Sequence, residues 1–534
     1  MKQLDYYQTQ LTVGKMSRRE FIGRAVALGV TASAATMLAD KAAKAAGPKK
    51  GGTFRQGLTG GATSDSLDPA TFLDSYMINV GMGQLRNCLT EIDQNNNLVG
   101  EVAESWEANA DGSAWTFKLR KGIEFHNGKT MDSTDVQASI NHHLGEDSKS
   151  AAKGIIAAIQ NVKTDGPDTV VFELSGGSAD FPYLMSDYHL GICPANADGT
   201  ADWQSGIGTG GYVLENFEPG LRTNTKRNEN YWKEGAAHFD AVESLFIPDV
   251  TARTTALQTG AIDGMQNLDL KTADLLKRKP DVNVLTFAGN QHITLPMLMD
   301  VAPFDNNDLR LALKYAVDRP EWQQKIFRGY ATLGNDHPIG SANQFLATEE
   351  ELPQREYDAD KAKFHLKKAG YDSIDITIHL AATAFEGAVD AGALYSESAK
   401  KAGINLTVAR EPDDGYWSNV WLVQPWVGSY WGGRPTEDWM FSQVYAAGAD
   451  WNETRFNNDR FEELLVKGRA ELNQDTRREI YVEMQRILHD EGGAVIPLFM
   501  PYTGAVTNKV ALPDQMATNW GFDGEKAAER WWFA

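Results

Sequence analysis

Several stretches of this chain carry residue types that do chemistry in other proteins, and each misses a spacing or context requirement. Residues 206–211 read Gly-Ile-Gly-Thr-Gly-Gly, a G-x-G-x-x-G pattern that could cradle a dinucleotide pyrophosphate. That chemistry needs a strand before the glycines and a helix after them, so that N–H groups at a helix start meet the phosphates. Here residues 212–217 alternate like a strand, so the glycines serve a turn. Residues 122–130 nearly spell a phosphate-binding loop, but five residues separate Gly122 from Gly128 where four are required. His142 and His143 are adjacent, which on a helix sends them about 100° apart, a poor arrangement for chelating one metal. His126 lies in a turn with Glu124 as its only close acidic neighbour. The ten histidines include no H-E-x-x-H, Cys88 and Cys193 give no zinc spacing, and there is no G-x-S-x-G. The expectation is a protein with no catalytic residue, no metal site and no cofactor.

Binding chemistry is better represented. Residues 413–440 hold Trp417, Trp421, Trp426, Trp431 and Trp439, with Tyr416 and Tyr430. Trp417 and Trp421 stand four apart and read as one helix face in the core. From Trp426 to Arg434 the run is apolar, then Gly428, then aromatic, then Gly432 and Gly433. Glycines let a backbone approach a ligand closely, and Trp and Tyr offer flat stacking surface. Arg434 either holds a ligand carboxylate in a forked, charge-assisted pair or forms a structural pair with Glu437 or Asp438.

The elements that would carry such a site alternate between strand-like and helical runs, which argues for an α/β protein. Residues 98–136 are the most informative. Val102, Ala103 and Trp106 sit at helical spacing, Asp111-Gly112 is a turn, and Trp115, Phe117 and Leu119 alternate with polar residues as a half-buried strand. A second turn follows at His126-Asn127-Gly128, then a helix capped by Asp132 or Ser133 with Asp135 in its first turn. Strands are expected at 52–58, 242–248, 374–380 and 404–409, and a pair over 161–174. Helices are expected at 251–260, capped by Thr251, and at 308–317, 358–369 and 392–402.

This order of elements, with the residues VAESWE, ADG, TFKLR, GIEFHNG and STDV, closely resembles the bacterial extracellular solute-binding proteins of family 5, the dipeptide- and oligopeptide-type receptors of ABC importers. GTGGYVLENFEPG with NENYW, LQTGAIDG, PFDNNDLRLALKYAVDR and YVEMQRILHDEGGAVIPLF resemble further family segments in the same order. The resemblance implies a periplasmic binding protein-like fold of two hinged lobes with an additional subdomain in the first. Lobe I would span 48–294 plus 501–534, with the subdomain at 91–200, and lobe II would span 295–500. It also implies a ligand cleft bordered by the loop 59–66, with Gly60 and Gly61, by Thr383 and Phe385, and by Trp426, Tyr430, Trp431, Gly432, Gly433 and Arg434. Peptide-binding relatives carry an Asp three residues after the Trp, paired with the ligand ammonium. This chain has Arg434 there, a reversal of charge, and residues 381–385 hold no charge where relatives often keep an Arg or Tyr.

The front of the chain reads as an export address. Ser17-Arg18-Arg19-Glu20-Phe21-Ile22 matches the twin-arginine pattern, and the apolar run 25–38 is shorter than the roughly twenty residues that span a bilayer. Ala43-Lys44-Ala45 offers a peptidase site, so residues 1–46 are expected to be removed and the remainder to be soluble in the periplasm as a monomer. That remainder, about 490 residues, exceeds one core and predicts two or three lobes. The formal charge is -21, of which residues 1–46 contribute +4 and the rest -25, an excess that repels nucleic acid and anionic lipid. Cys88 and Cys193 are read equally well as a disulfide or as two buried thiols. The expected ligand is a small peptide or modified amino acid, with an opine, a quaternary amine or an oligosaccharide as alternative and a periplasmic hydrolase as a remote one. The expected partner is a membrane permease, which the closed, ligand-bound form would dock on.

Overall fold

The computed structural model describes residues 2–12, 15–16, 18–31, 34–35, 38, 48–145, 148–413 and 415–534. Ser17 of the twin-arginine pattern and the expected cleavage at residues 43–45 lie outside the described residues. Helices Lys2–Thr12 and Arg18–Ala27 lie at the front of the chain, with a small apolar cluster of their own around Phe21.

A mixed sheet dominates the fold. Its strand order is Ser429–Trp431, Val282–Pro296, Leu498–Thr507, Gly264–Gln266, Thr53–Leu58, Ala241–Phe246, Arg222–Arg227 and Tyr212–Glu218. Thr53–Leu58 runs parallel to both its neighbours, and every other pairing on this path is antiparallel. Around its Tyr212–Glu218 end Phe54, Tyr76, Tyr212 and Trp531 form one core. A separate four-stranded antiparallel sheet, Ala103–Ala108, Ala114–Leu119, Thr169–Leu174 and Ile159–Thr164, packs a second core on Phe117, Phe172 and Phe181. The chain from Leu295 onward builds a third core from Trp322, Tyr395 and Trp426, with a fourth around Phe441 and Tyr481.

The two long strands link these parts. Val282–Pro296 and Leu498–Thr507 pair continuously from Val282↔Thr507 to Ala288↔Pro501, lose register, and meet again at His292↔Phe499. The interruption falls at Gly289, Asn290 and Gln291, where a Cβ on Gly289 would stand 2.4 Å from the Tyr502 ring.

Most expected elements are present. Trp115, Phe117 and Leu119 are buried, Gly112 has φ +69°, and Asp132 and Asp135 close a capping box on helix Ser133–Asn141. Two expectations are corrected. Residues 103–108 are a strand, not a helix. Its register shifts between Ala103 and Ser105, so the buried positions fall three apart and mimic a helical period. Helix Val250–Thr259 is capped by Asp249, whose carboxylate accepts from Ala252 N, and not by Thr251. Cys88 and Cys193 are both buried free thiols.

Candidate functional site

A cleft opens between the first-half cores and the second-half cores. One chamber of about 510 Å³ is lined from one side by Tyr183, Asp187, Tyr188 and Trp520, and from the other by Arg434, Trp439, Gln443 and Trp451. A second chamber of about 320 Å³ adjoins it and shares Tyr183, Arg434, Pro435, Asn519 and Trp520. Local chemistry sets these walls. Asp187 caps the short turn Tyr188–Leu190 through His189 N (3.0 Å), and its carboxylate also takes His189 Nδ1 at 2.5 Å. That capping orients Tyr188, whose ring stands 4.2 Å from the His189 ring and 5.9 Å from Trp520. Opposite, Thr436 caps helix Glu437–Val444, and two acids in its first turn suit the helix dipole. This helix presents Trp439 and Gln443 to the cleft.

Arg434 is the electrostatic centre. Its Nε donates to Gln443 Oε1 at 2.7 Å, and one terminal nitrogen donates to the carbonyls of Gly432 (3.0 Å) and Gly433 (3.3 Å). The guanidinium stands 5.8 Å from the Trp431 and Trp439 ring centres. It forms no ion pair among the described residues. Glu437 instead accepts from Phe345 N at 2.7 Å, and Asp438 pairs with Arg469 at 3.2 Å, so the structural pairing open to Arg434 is not made. Burial pulls its pKa down, partly offset by Tyr188 and Asp187 across the gap. A partly desolvated, fixed cation with no carboxylate in direct contact can seat an anion.

The expected site residues divide. Gly433 and Arg434 line the cleft, and a Cβ on Gly433 would fall 2.4 Å from that of Asn290. Trp431 is nearly buried, backing Arg434 and facing Trp451 at 5.6 Å; Gly432 supplies a carbonyl. Trp426 and Phe385 are corrected to core residues. Trp426 is fully buried with Nε1 donating to Leu295 O, and Phe385 packs by Trp322, both within the apolar core of the second half. Tyr430 faces Trp417 on the outer surface. Thr383 donates its backbone N–H to Asp413. Gly60 and Gly61 are pressed against Asp74 and Phe246. Tyr188, Trp451 and Trp520 were missed, because their stretches of sequence show no motif; Trp439 and Gln443 sit just beyond the aromatic run.

The decoys resolve into structure. Gly208 N donates to His126 Nδ1 and His126 Nε2 donates to Gly210 O, so the histidine fastens the glycine turn, while burial lowers its pKa to about 4. His142 meets Asp68 and His143 meets Ser150. Glu91, Glu101 and Glu529 converge closely enough to hold an ion, but Lys233 and Lys526 already place their ammonium groups among them.

A gap between two halves, walled by aromatic rings and centred on an unpaired guanidinium, defines a ligand-capturing protein. This chain belongs to the bacterial extracellular solute-binding proteins, family 5, whose middle-region sequence model matches residues 97–453. Heme-binding protein A of Haemophilus influenzae is 25% identical over 462 residues, 80% of this chain and 83% of that protein. Glutathione-binding protein GsiB of Escherichia coli (strain K12) is 26% identical over 314 residues, 58% of this chain and 60% of that protein. The solved structure of the ABC transporter-associated periplasmic binding protein DppA from Helicobacter pylori, in complex with peptide STSA, matches with a TM-score of 0.71 at 22% identity, covering 91% of this chain and 98% of that one. The fold is that of the periplasmic binding proteins, and the chain is an extracellular solute-binding protein of this family. Among the described residues no helix is long and apolar enough to cross a membrane.

Proposed function

We propose that this receptor captures a short peptide, or a related solute bearing a carboxylate, and hands it to a membrane permease, with Arg434 as the carboxylate anchor. The observation that carries the reading is the Arg434 guanidinium, half-buried in the cleft, held by Gln443 and two carbonyls, and without an ion-paired acid among the described residues. Heme, glutathione and a peptide, named for the three relatives above, all carry free carboxylates. The reversed charge relative to the expected Asp argues that the ligand's acid, not its ammonium, is gripped at this position.

In this reading lobe I comprises 48–294 and 501–534 with a subdomain at 91–200, lobe II comprises 295–500, and the paired long strands are the hinge. Ligand contacts from both sides favour the closed form. Residues 1–46 act as a twin-arginine export signal, and the mature receptor works as a soluble periplasmic monomer. The test is calorimetry with Ala-Ala-Phe and its C-terminal amide. The acid should bind with unchanged stoichiometric recovery and the amide at least about tenfold more weakly, the loss expected for one charge-assisted hydrogen-bonded pair. Equal affinities would end the anchor assignment, and turnover of the peptide by pure protein would favour a hydrolase.

A further inference from the structure

The two chambers that meet at Arg434 differ in chemistry. The larger is walled by the rings of Tyr188, Trp439 and Trp451, with the apolar side chain of Leu73 at its edge, 78% exposed, while Asn519 and Trp520 line both chambers. Asp187 also faces it, but one carboxylate oxygen already takes both the backbone and the ring of His189. The smaller chamber is lined by Asn95, Asn97, Ser341, Asn343, Gln344 and Asn519, and Arg434 is the one charged side chain among its lining residues. Primary amides offer donors and acceptors together, as a peptide backbone requires. Aromatic walls offer chiefly stacking and apolar burial, with the Tyr O–H and Trp N–H as their few polar handles.

A peptide whose α-carboxylate sits on Arg434 has two branches from its last Cα: the terminal side chain and the chain running back toward the N-terminus. Two chambers diverge from the same guanidinium. Matching branches to walls puts the side chain among the rings and the preceding amide groups among the asparagines. We infer, resting on the carboxylate reading above, that the receptor selects peptides with a large aromatic C-terminal residue. The amide-lined arm holds no carboxylate, so it does not demand a free amino terminus.

The experiment is calorimetric titration of the full mature chain with Ala-Ala-Phe, Ala-Ala-Ala, Phe-Ala-Ala, N-acetyl-Ala-Ala-Phe and Ala-Ala-Phe amide. Ala-Ala-Phe should bind about tenfold or more tightly than Ala-Ala-Ala and Phe-Ala-Ala, the scale of burying a phenyl ring. N-acetylation should change affinity by less than about threefold. Trp451→Ala, which alters the larger chamber alone, should shrink the preference for Ala-Ala-Phe over Ala-Ala-Ala, and an unchanged preference overturns the aromatic selection. Equal binding of Ala-Ala-Phe and Ala-Ala-Ala overturns the aromatic selection and leaves the anchor standing. A large loss on acetylation overturns the placement of the backbone in the amide-lined arm. Equal binding of the acid and the amide overturns the anchor itself, and no binding by any of the five overturns both.

Discussion

Two buried groups of charge in this molecule are built on opposite plans. Where the C-terminal segment meets the strand pair Thr90–Ile92 and Leu98–Gly100, Lys526 lies 2.7 Å from Glu91 and also against Glu101, while Lys233 reaches Glu91 (2.8 Å), Glu101 (3.2 Å) and Glu529 (2.8 Å). Arg530 adds Asp523 at 3.1 Å. Burial alone would push the Lys526 pKa down, but Glu101 and Glu91 outweigh it and raise it; Glu91 is held well below the usual carboxylate range by Lys233, Lys526 and Arg530. In the cleft, Arg434 has only neutral partners. Charges that hold a fold together are mutually compensated, because an uncompensated one costs stability. Arg86 and Lys314 are also satisfied by carbonyls alone, so what sets Arg434 apart is that it faces a walled gap, where the proposed carboxylate would sit.

Substitutions in the two groups sharpen that contrast. Lys526→Met should destabilise the protein by ~3–5 kcal/mol, since it strands buried carboxylates, and chemical denaturation measures it. Arg434→Met should change stability by less than about 1 kcal/mol yet weaken a carboxylate ligand by about 2 kcal/mol, roughly thirtyfold. A large stability loss at Arg434 would erase the distinction. Glu525 supplies a pH test. Burial raises its pKa from 4.5 to about 8, so the folded state holds a proton there that the unfolded chain releases. Its contribution is therefore full below about pH 4.5 and is lost as pH rises toward 8, with a slope of up to about 1.4 kcal/mol per pH unit. Glu525→Gln should flatten that slope between pH 5 and 8 in urea melts; an unchanged slope would place the titration elsewhere. The smallest effect is expected for Arg434→Lys, which keeps the charge but loses the planar fork and should weaken binding by about fivefold.

The chemistry of local segments was readable from sequence to different depths. Alternation exposed strand Ala114–Leu119, and capping residues placed helices such as Ala359–Lys368 within a residue or two. The strand at 103–108 misled because its bulge disguises a period of two as a period of three. At the cleft, Arg434 was legible because a charge interrupts an aromatic and glycine run. Trp426 was not distinguishable from it: a buried Trp and a ligand-facing Trp look identical until Phe304 and Tyr395 are seen packed on it at 5.8 Å. Tyr188 and Trp520 come from segments over 330 residues apart, and only the folded chain sets their rings 5.9 Å from each other.

The ribbon of residues 282–296 and 498–507 has a consequence for how a transporter senses this receptor. In the hinge reading proposed above, two laddered strands with a break at 289–291 would flex at that break. Lobes joined in this way would close along one arc. Footholds on either side of the cleft would change their separation in one coordinated way, so the membrane partner could read occupancy as a distance without touching the cargo.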